Sequence, residues 1–121
     1  MNYCEICGKP AEEHHIVRRR KSAGMINAKI NHKYLCYEHH RTGKDAPHNN
    51  KKIDTKYKLE LQKQLFQLFH KDYYYYKEIM DLLEISAKDA DKLVKTLAWH
   101  SEGYERLDIV KACMGGKIYA V

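Results

Sequence analysis

Two short residue pairs with the same spacing constrain this chain more than any other feature. Cys4 and Cys7 are separated by two residues, and Gly8 follows directly. Cys36 and His39 have the same two-residue gap. A tight turn of this kind aims two side chains at one ion, and two such turns supply the four tetrahedral ligands of a structural zinc site. The spacing therefore predicts a Cys3His zinc site.

The chain divides by composition into residues 1–52 and 53–121. The first segment has few large apolar side chains, so a bound metal is expected to replace the missing hydrophobic stabilisation. It holds 11 Lys/Arg against 5 Asp/Glu, whereas the second segment holds 11 of each. A basic field concentrated beside candidate catalytic groups favours a polyanionic partner, and nucleic acid is the obvious one.

The chain has no sequence feature of a membrane or secreted protein. No apolar run approaches the ~18–20 residues that span a bilayer, and the N-terminal residues lack the apolar core of a signal peptide. We therefore expect a cytoplasmic location and no membrane partner. In a reducing compartment, Cys-x2-Cys more often binds metal than forms a disulfide. Cys113, remote from the others, is interpreted as a buried small hydrophobe.

Histidines and one asparagine remain after the zinc ligands are assigned, and their order resembles that of the HNH endonucleases, the ββα-metal nucleases. The similarity covers roughly residues 3–50. The matching segments are Cys4-x2-Cys7-Gly8, His14-His15-Ile16-Val17 and Asn31-x4-Cys36-x2-His39-His40. The resemblance implies an α+β fold, with a small zinc-stapled ββα-metal (HNH) core over residues 1–52 and an α-helical extension over residues 53–121.

The resemblance also implies a role for each matching residue. His15 would be the general base that takes a proton from the attacking water, and Asn31 would orient its ring. His14 and His40 would hold one catalytic divalent ion, Mg2+ or a transition ion such as Mn2+ or Ni2+. Imidazole, with a pKa near ~6.5, is largely neutral and basic at cellular pH. Because neighbouring strand residues point to opposite faces, His14 and His15 can share one site only at a bend or strand end.

Two assignments stay open. His39 stands where many relatives have Cys, and His39 and His40 could exchange roles. His48 is a further candidate ligand. No carboxylate adjoins the catalytic histidines in the way that would favour Mg2+, so a softer ion such as Mn2+, Ni2+ or Co2+ suits the site better. His32, His70 and His100 are interpreted as solvated or capping residues.

A basic run follows the candidate base directly. It consists of Arg18, Arg19, Arg20 and Lys21. Such a run is more often a solvated surface, but its position next to His15 favours contacts with substrate phosphates. Contacts of this kind supply affinity without sequence information. Tyr73–Tyr76 could stack on bases, although packing, including a contact in a homodimer through the helical extension, is the favoured interpretation.

The second segment has helical periodicity. Apolar residues recur at helical spacing over 57–69, and two further stripes cover 79–85 and 90–97. Ser86 is the predicted N-cap between the last two helices, with Asp89 three residues on. Residues 77–97 resemble a helix-turn-helix. A packing or partner-binding role is preferred there over sequence-specific DNA reading, because the second helix is not clearly basic. Residues 117–121 could form a short strand.

Together these patterns predict a metal-dependent DNA endonuclease or nickase with a His general base and a structural Zn2+. The alternative is a non-catalytic zinc-stapled protein of the same fold that binds nucleic acid or regulates a protein partner. The His14, His15, Asn31 and His40 set favours the enzyme, because binding alone would not require it. By resemblance, a compact nuclease of this type suits a phage or mobile element. The substrate form stays open.

Overall fold

The computed structural model describes residues 1–120 and has an α+β architecture. The elements in chain order are β1 (Glu12–His15), β2 (His32–Leu35), α1 (Lys51–Leu68), β3 (Tyr73–Tyr74), α2 (Tyr76–Leu83), α3 (Ala87–Val94), β4 (Tyr104–Glu105) and α4 (Arg106–Cys113). Two 3-10 turns, Ala23–Met25 and Lys29–Asn31, lie between β1 and β2, and a π-helical turn, Glu38–Thr42, follows β2. The helices and short antiparallel strand pairs confirm the predicted α+β class.

The β1–β2 hairpin organises the first segment. The strands are antiparallel, with His15 opposite His32 and Glu12 opposite Leu35. Successive side chains of a strand point to opposite faces. Glu12 and His14 therefore share one face of β1, and Glu13 and His15 share the other.

A turn at the N-terminus carries the first two cysteines against β2. Gly8 has φ +78°, a left-handed conformation that a residue with a side chain rarely adopts. The Cys4 amide donates to the Lys9 carbonyl at 2.7 Å, which closes the turn. The Glu5 carboxylate accepts from the Tyr34 amide at 2.9 Å, so the turn is tied to β2.

The long helix α1 begins earlier than the periodicity indicated. Asn50 caps it, since its side-chain oxygen accepts from the amides of Lys52 and Ile53 at 3.0 and 3.3 Å. At the other end, the Arg106 guanidinium donates to the carbonyls of Phe66 and Phe69. A cation on these unpaired carbonyls also complements the helix dipole. This ties α1 to α4.

The predicted helix pair in the C-terminal half is confirmed as α2 and α3. Glu84–Ser86 connect them, with Glu84 at φ 53°. Ser86 caps α3 as predicted, because its hydroxyl oxygen accepts from the Asp89 amide at 3.2 Å. Tyr74, only 2% exposed, packs edge-on against Phe69.

Helix α4 was not predicted individually, because its Ile109 and Val110 are β-branched and lower its helix propensity. Its Leu107 is exposed in the structure. Residues 117–120 form no strand. They lie along α1 instead, where the Gln62 amide bonds to both backbone groups of Tyr119 at 2.7 and 2.9 Å. Val121, the last residue of the suggested strand, lies outside the described residues.

The C-terminal half packs directly on the segment between β1 and β2. At Gly24, an added Cβ would lie 2.5 Å from Leu93 Cγ and 2.7 Å from the Asp89 carbonyl oxygen, so only glycine permits this approach. The Asn27 amide donates to Asp89 Oδ2 at 3.1 Å beside it. One hydrophobic cluster contains Leu35 of β2 and residues of α1 and α4. Helix α1 itself crosses the predicted boundary at residue 52.

Across residues 1–120, the helices lack the combination of length and apolar character that a bilayer crossing requires.

Replacing Gly24 by Ala tests how closely α3 packs on the 3-10 turn. The new methyl group meets the backbone of α3, which cannot move without disturbing the core. We expect a loss of about 1–3 kcal/mol in the free energy of unfolding, measured by chemical denaturation. Lys88→Ala, on the exposed face of the same helix, is the control and should change stability by less than about 0.5 kcal/mol. Equal stability of the two variants would contradict the close packing.

Candidate metal centre

The structure brings the two predicted ligand pairs together into one cluster. Their ligand atoms lie within 4.8 Å of one another in the set Cys4, Cys7, Cys36 and His39. Two sulfurs, of Cys7 and Cys36, are 3.7 Å apart, and His39 Nδ1 lies 3.2 Å from Cys36 Sγ and 3.6 Å from Cys4 Sγ. Ligand bonds of about 2.3 Å to sulfur and 2.0 Å to nitrogen imply ligand separations of roughly 3.8 and 3.5 Å around a tetrahedral ion. The cluster can therefore hold a metal ion such as zinc.

The local charges suit a cation at this cluster. Burial would raise the pKa of the Cys4 thiol, but backbone hydrogen bonds outweigh it and lower this pKa to about 6. The Cys36 pKa is also lowered, first by a backbone hydrogen bond from His39. Thiolate is the form that binds a metal. A backbone hydrogen bond from Lys9 opposes the change, but burial and hydrogen bonds with Cys36 and Cys4 raise the pKa of Cys7. These contacts therefore favour the thiolate at Cys4 and Cys36 over Cys7.

A second cluster lies on the Glu12 face of β1 and consists of three imidazoles. The ligand atoms of His14, His40 and His48 lie within 4.8 Å of one another. The nearest pair is His40 Nε2 and His48 Nε2, at 2.9 Å, and the His14 ring centroid is 4.9 Å from that of His40. The structure thus unites the two predicted ligands of a catalytic ion with the open candidate His48. His39 joins the cysteines and His40 joins the histidines.

Each imidazole of this three-histidine cluster comes from a different element. His14 lies on β1, and His40 lies in the π-helical turn after β2. His48 lies in the loop before α1. The side-chain amides of Asn49 and Asn50 fix this loop by donating hydrogen bonds to the carbonyls of residues 41, 43 and 44. These local ties explain how a loop residue can complete the cluster.

Glu12 supports the cluster from its own strand. Its Oε1 lies 2.5 Å from His40 Nδ1 and accepts from Arg41 Nε at 2.9 Å. Partial burial would raise the pKa of Glu12, but hydrogen bonds from Arg41 and His40 outweigh it and lower this pKa. The carboxylate holds the hydrogen on His40 Nδ1 and turns Nε2 toward the other two rings. Metal-bound histidines are commonly oriented in this way.

Two of the cluster histidines are favoured in the neutral form by their surroundings. Burial, reinforced by the charge of Arg18, lowers the pKa of His14 to about 3. Burial and the same guanidinium also lower the pKa of His48. A neutral imidazole is the form that binds a metal ion, so these shifts suit His14 and His48 as ligands.

Arg18 covers the end of β1. Its Nη1 lies 3.3 Å from His14 Nε2 and donates to the His15 carbonyl at 2.9 Å, while Nη2 donates to Asp54 Oδ1 at 3.2 Å. The next three residues of the basic run, Arg19, Arg20 and Lys21, are exposed. The run thus begins at the three-histidine cluster and continues over the surface.

His15 lies on the opposite face of β1 from His14. Its Nε2 is 3.0 Å from the Ile26 carbonyl oxygen and 3.5 Å from Glu13 Oε2. A carbonyl only accepts hydrogen bonds, so Nε2 carries the hydrogen and Nδ1 is the nitrogen that can take a proton. Burial, the largest effect, lowers the pKa of His15, although the Ile26 bond opposes it. The regular alternation of the strand, rather than a bend, places the adjacent histidines in two clusters.

Asn31 has a different contact set from the one expected. It is fully buried, and its Oδ1 accepts from the Val17 amide at 2.8 Å. Its Nδ2 donates to the carbonyls of Val17 and Met25 at 3.1 and 3.2 Å. The Ile26 carbonyl, not the Asn31 amide, orients the His15 ring. Asn31 instead joins the chain after β1 to the 3-10 turn that carries Ile26.

Sequence reasoning missed three groups near these histidines. Glu12 and Glu13 were not assigned, and His32 was interpreted as solvated. The alternation of β1 could have indicated Glu12 and Glu13, because each lies two residues before a histidine. His32 could not be placed without the register that sets it opposite His15.

Comparisons with protein-family models, curated proteins and solved structures gave no match.

Replacing Cys36 by Ser tests the Cys3His cluster. We expect the purified variant to contain one zinc ion fewer per chain, because one of four ligands is lost, and to melt at a lower temperature. Zinc is measured by atomic emission after dialysis. Cys113→Ala is the matched control, since Cys113 is fully buried away from the cluster and should keep its zinc. Equal zinc in both variants would exclude this set.

Replacing Glu12 by Gln tests the support of His40. The amide is nearly isosteric but lacks the charge that holds the hydrogen on His40 Nδ1. We expect divalent metal to bind the three-histidine cluster about 10–100-fold more weakly, measured by calorimetric titration with Ni2+. Glu38→Gln, at an exposed glutamate, should leave the affinity unchanged. An unaffected Glu12→Gln protein would mean that His40 needs no carboxylate.

Proposed function

We propose that this chain is a metal-dependent DNA endonuclease or nickase of the HNH type, stapled by a structural zinc ion. The observation that carries the proposal is the three-histidine cluster beside the Cys3His cluster, at the end of an antiparallel hairpin. A protein that only bound nucleic acid would need one structural ion. It would not need a second cluster of three imidazoles.

His14, His40 and His48 would hold one divalent ion. When bound, this ion would neutralise charge on the scissile phosphate and stabilise the leaving 3′ oxygen. An all-imidazole set suits a transition ion such as Mn2+, Ni2+ or Co2+ better than Mg2+, which prefers oxygen ligands. Glu12 remains outside this set, because it is occupied with His40 and Arg41.

His15 would act as the general base. Its Nδ1 is free to take a proton from water, and the bond to Ile26 fixes the ring that carries it. Since His14 and His15 lie on opposite faces, the scissile phosphate would have to lie across the end of β1 to reach both. Arg18 already lies at that end, where its guanidinium would hold a phosphate oxygen.

The exposed basic side chains extend this surface. Arg19, Arg20 and Lys21 continue from Arg18. Helix α3, which packs on the turn before Ile26, buries Asp89 and exposes Lys88, Asp91 and Lys92. Asp91 lies three residues after Lys88, so the exposed face of α3 carries charges of both signs. Arg19, Arg20 and Lys21 would therefore contact phosphates and supply affinity without specifying sequence.

The test is conversion of supercoiled plasmid to nicked or linear DNA with Mg2+, Mn2+ or Ni2+. We expect His15→Ala to cut about 10²–10⁴-fold more slowly than the wild type, because the general base is lost. The variant should keep the zinc ion of the Cys3His cluster. His70→Ala, at an exposed histidine of the extension, is the control and should cut normally.

Two outcomes would contradict the proposal. Undiminished cutting by His15→Ala would remove His15 as the base. A wild-type protein that binds DNA or a protein partner, but cuts neither DNA nor RNA with any of the ions, would be the non-catalytic alternative.

A further inference from the structure

The second face of β1 carries a side-chain cluster of which the proposed reaction uses only His15. Glu13, His15 and His32 offer ligand atoms that lie within 4.8 Å of one another. The two rings are 5.0 Å apart between centroids, as their opposite positions in the hairpin dictate. One carboxylate serves both rings, with Oε2 3.5 Å from His15 Nε2 and Oε1 3.2 Å from His32 Nδ1.

The contacts of His32 leave one ring nitrogen for an ion. His32 Nε2 lies 2.7 Å from the Ile26 carbonyl, which can only accept, so this nitrogen carries a hydrogen. The other nitrogen, Nδ1, faces the Glu13 carboxylate at 3.2 Å. A metal ion between them would bind both the nitrogen and the carboxylate oxygen. The ring orientation, with a backbone carbonyl behind it, is the one that metal-bound histidines usually have.

Two imidazoles and one carboxylate are also the ligands of an open zinc site, in which water takes the fourth position. His15 and His32 are largely buried, whereas Glu13 is exposed, so the cluster has rigid nitrogen ligands and a solvent path. Mg2+ prefers oxygen ligands, so a borderline-soft ion is favoured here.

We propose that Glu13, His15 and His32 form a separate transition-metal site, taking Zn2+, whose occupation captures the general base and switches the enzyme off. The ion would bind the lone pair of His15 Nε2, and the ring hydrogen would then lie on Nδ1, so that Nδ1 could no longer take a proton from water. Binding of the ion stands on the cluster alone, and only the inhibition rests on the proposed nuclease function. Excess Zn2+ would therefore block cutting from the face opposite the three-histidine cluster.

The first experiment counts ions on the full chain. Dialysis against micromolar Zn2+ and atomic emission should give three ions per chain for the wild type and two for His32→Ala, one for each of the remaining clusters. Glu13→Gln, a milder change at an exposed residue, should likewise lose one ion. His100→Ala is the matched control and should keep all three. A count that is the same in wild type, His32→Ala and Glu13→Gln would overturn the site.

The second experiment observes His15 itself and does not depend on activity. In nitrogen-15 spectra of the histidine rings, the third equivalent of Zn2+ should shift the His15 and His32 signals in the wild type. His15 should not shift at that step in His32→Ala. If the third ion leaves the His15 ring unchanged, it does not capture the base, and the proposal is wrong even though an ion binds.

Cutting assays then separate the inhibition from the nuclease function. In a protein activated by Mn2+, the third equivalent of Zn2+ per chain should stop wild-type cutting, and Glu13→Gln should keep cutting at the same Zn2+ concentration. Equal inhibition of both would place the inhibitory ion elsewhere and overturn the switch. A protein that never cuts would refute the nuclease proposal, while the ion count and the ring spectra would still decide the site.

Discussion

The register of β1 against β2 is the constraint on which both histidine clusters depend. His15 lies opposite His32, so these rings meet on one face, while Glu12 and His14 are directed to the other. A shift of one residue in a hairpin moves every side chain to the opposite face. Such a shift would separate Glu12 from His40 and His15 from His32. Four residues of strand therefore position two distinct sites.

Short polar contacts support this register beside the apolar packing of Val17, Met25 and Leu35. The buried Asn31 amide joins the chain after β1 to the 3-10 turn, and it satisfies backbone groups that would otherwise be costly to bury. Asn50 begins α1 at the end of the loop that carries His48. The Cys3His cluster links the N-terminal turn to the end of β2, and the proposed zinc ion would strengthen that link.

The helical extension completes the site rather than standing apart from it. Helix α3 packs against Gly24, two residues from the carbonyl that holds both His15 and His32. In the proposed enzyme, the extension would thus fix the orientation of the general base. His15 connects the proposed catalytic and inhibitory states, because it cannot serve as the base while it binds an ion.

Sequence spacing predicted the Cys3His set and the Ser86 cap, because each ligand pair and the cap depend on residues close in the chain. The His14 and His40 pair and the α+β class were predicted from the resemblance to HNH nucleases. Only the tertiary structure separated His39 from His40, brought His48 to the cluster and placed Glu12 behind it. It also showed that His32, which was interpreted from the sequence as solvated, contacts His15. Strand register and loop closure decide these contacts, and both depend on packing between distant segments. Residue order determined which ligands were available, and the fold decided how they were grouped.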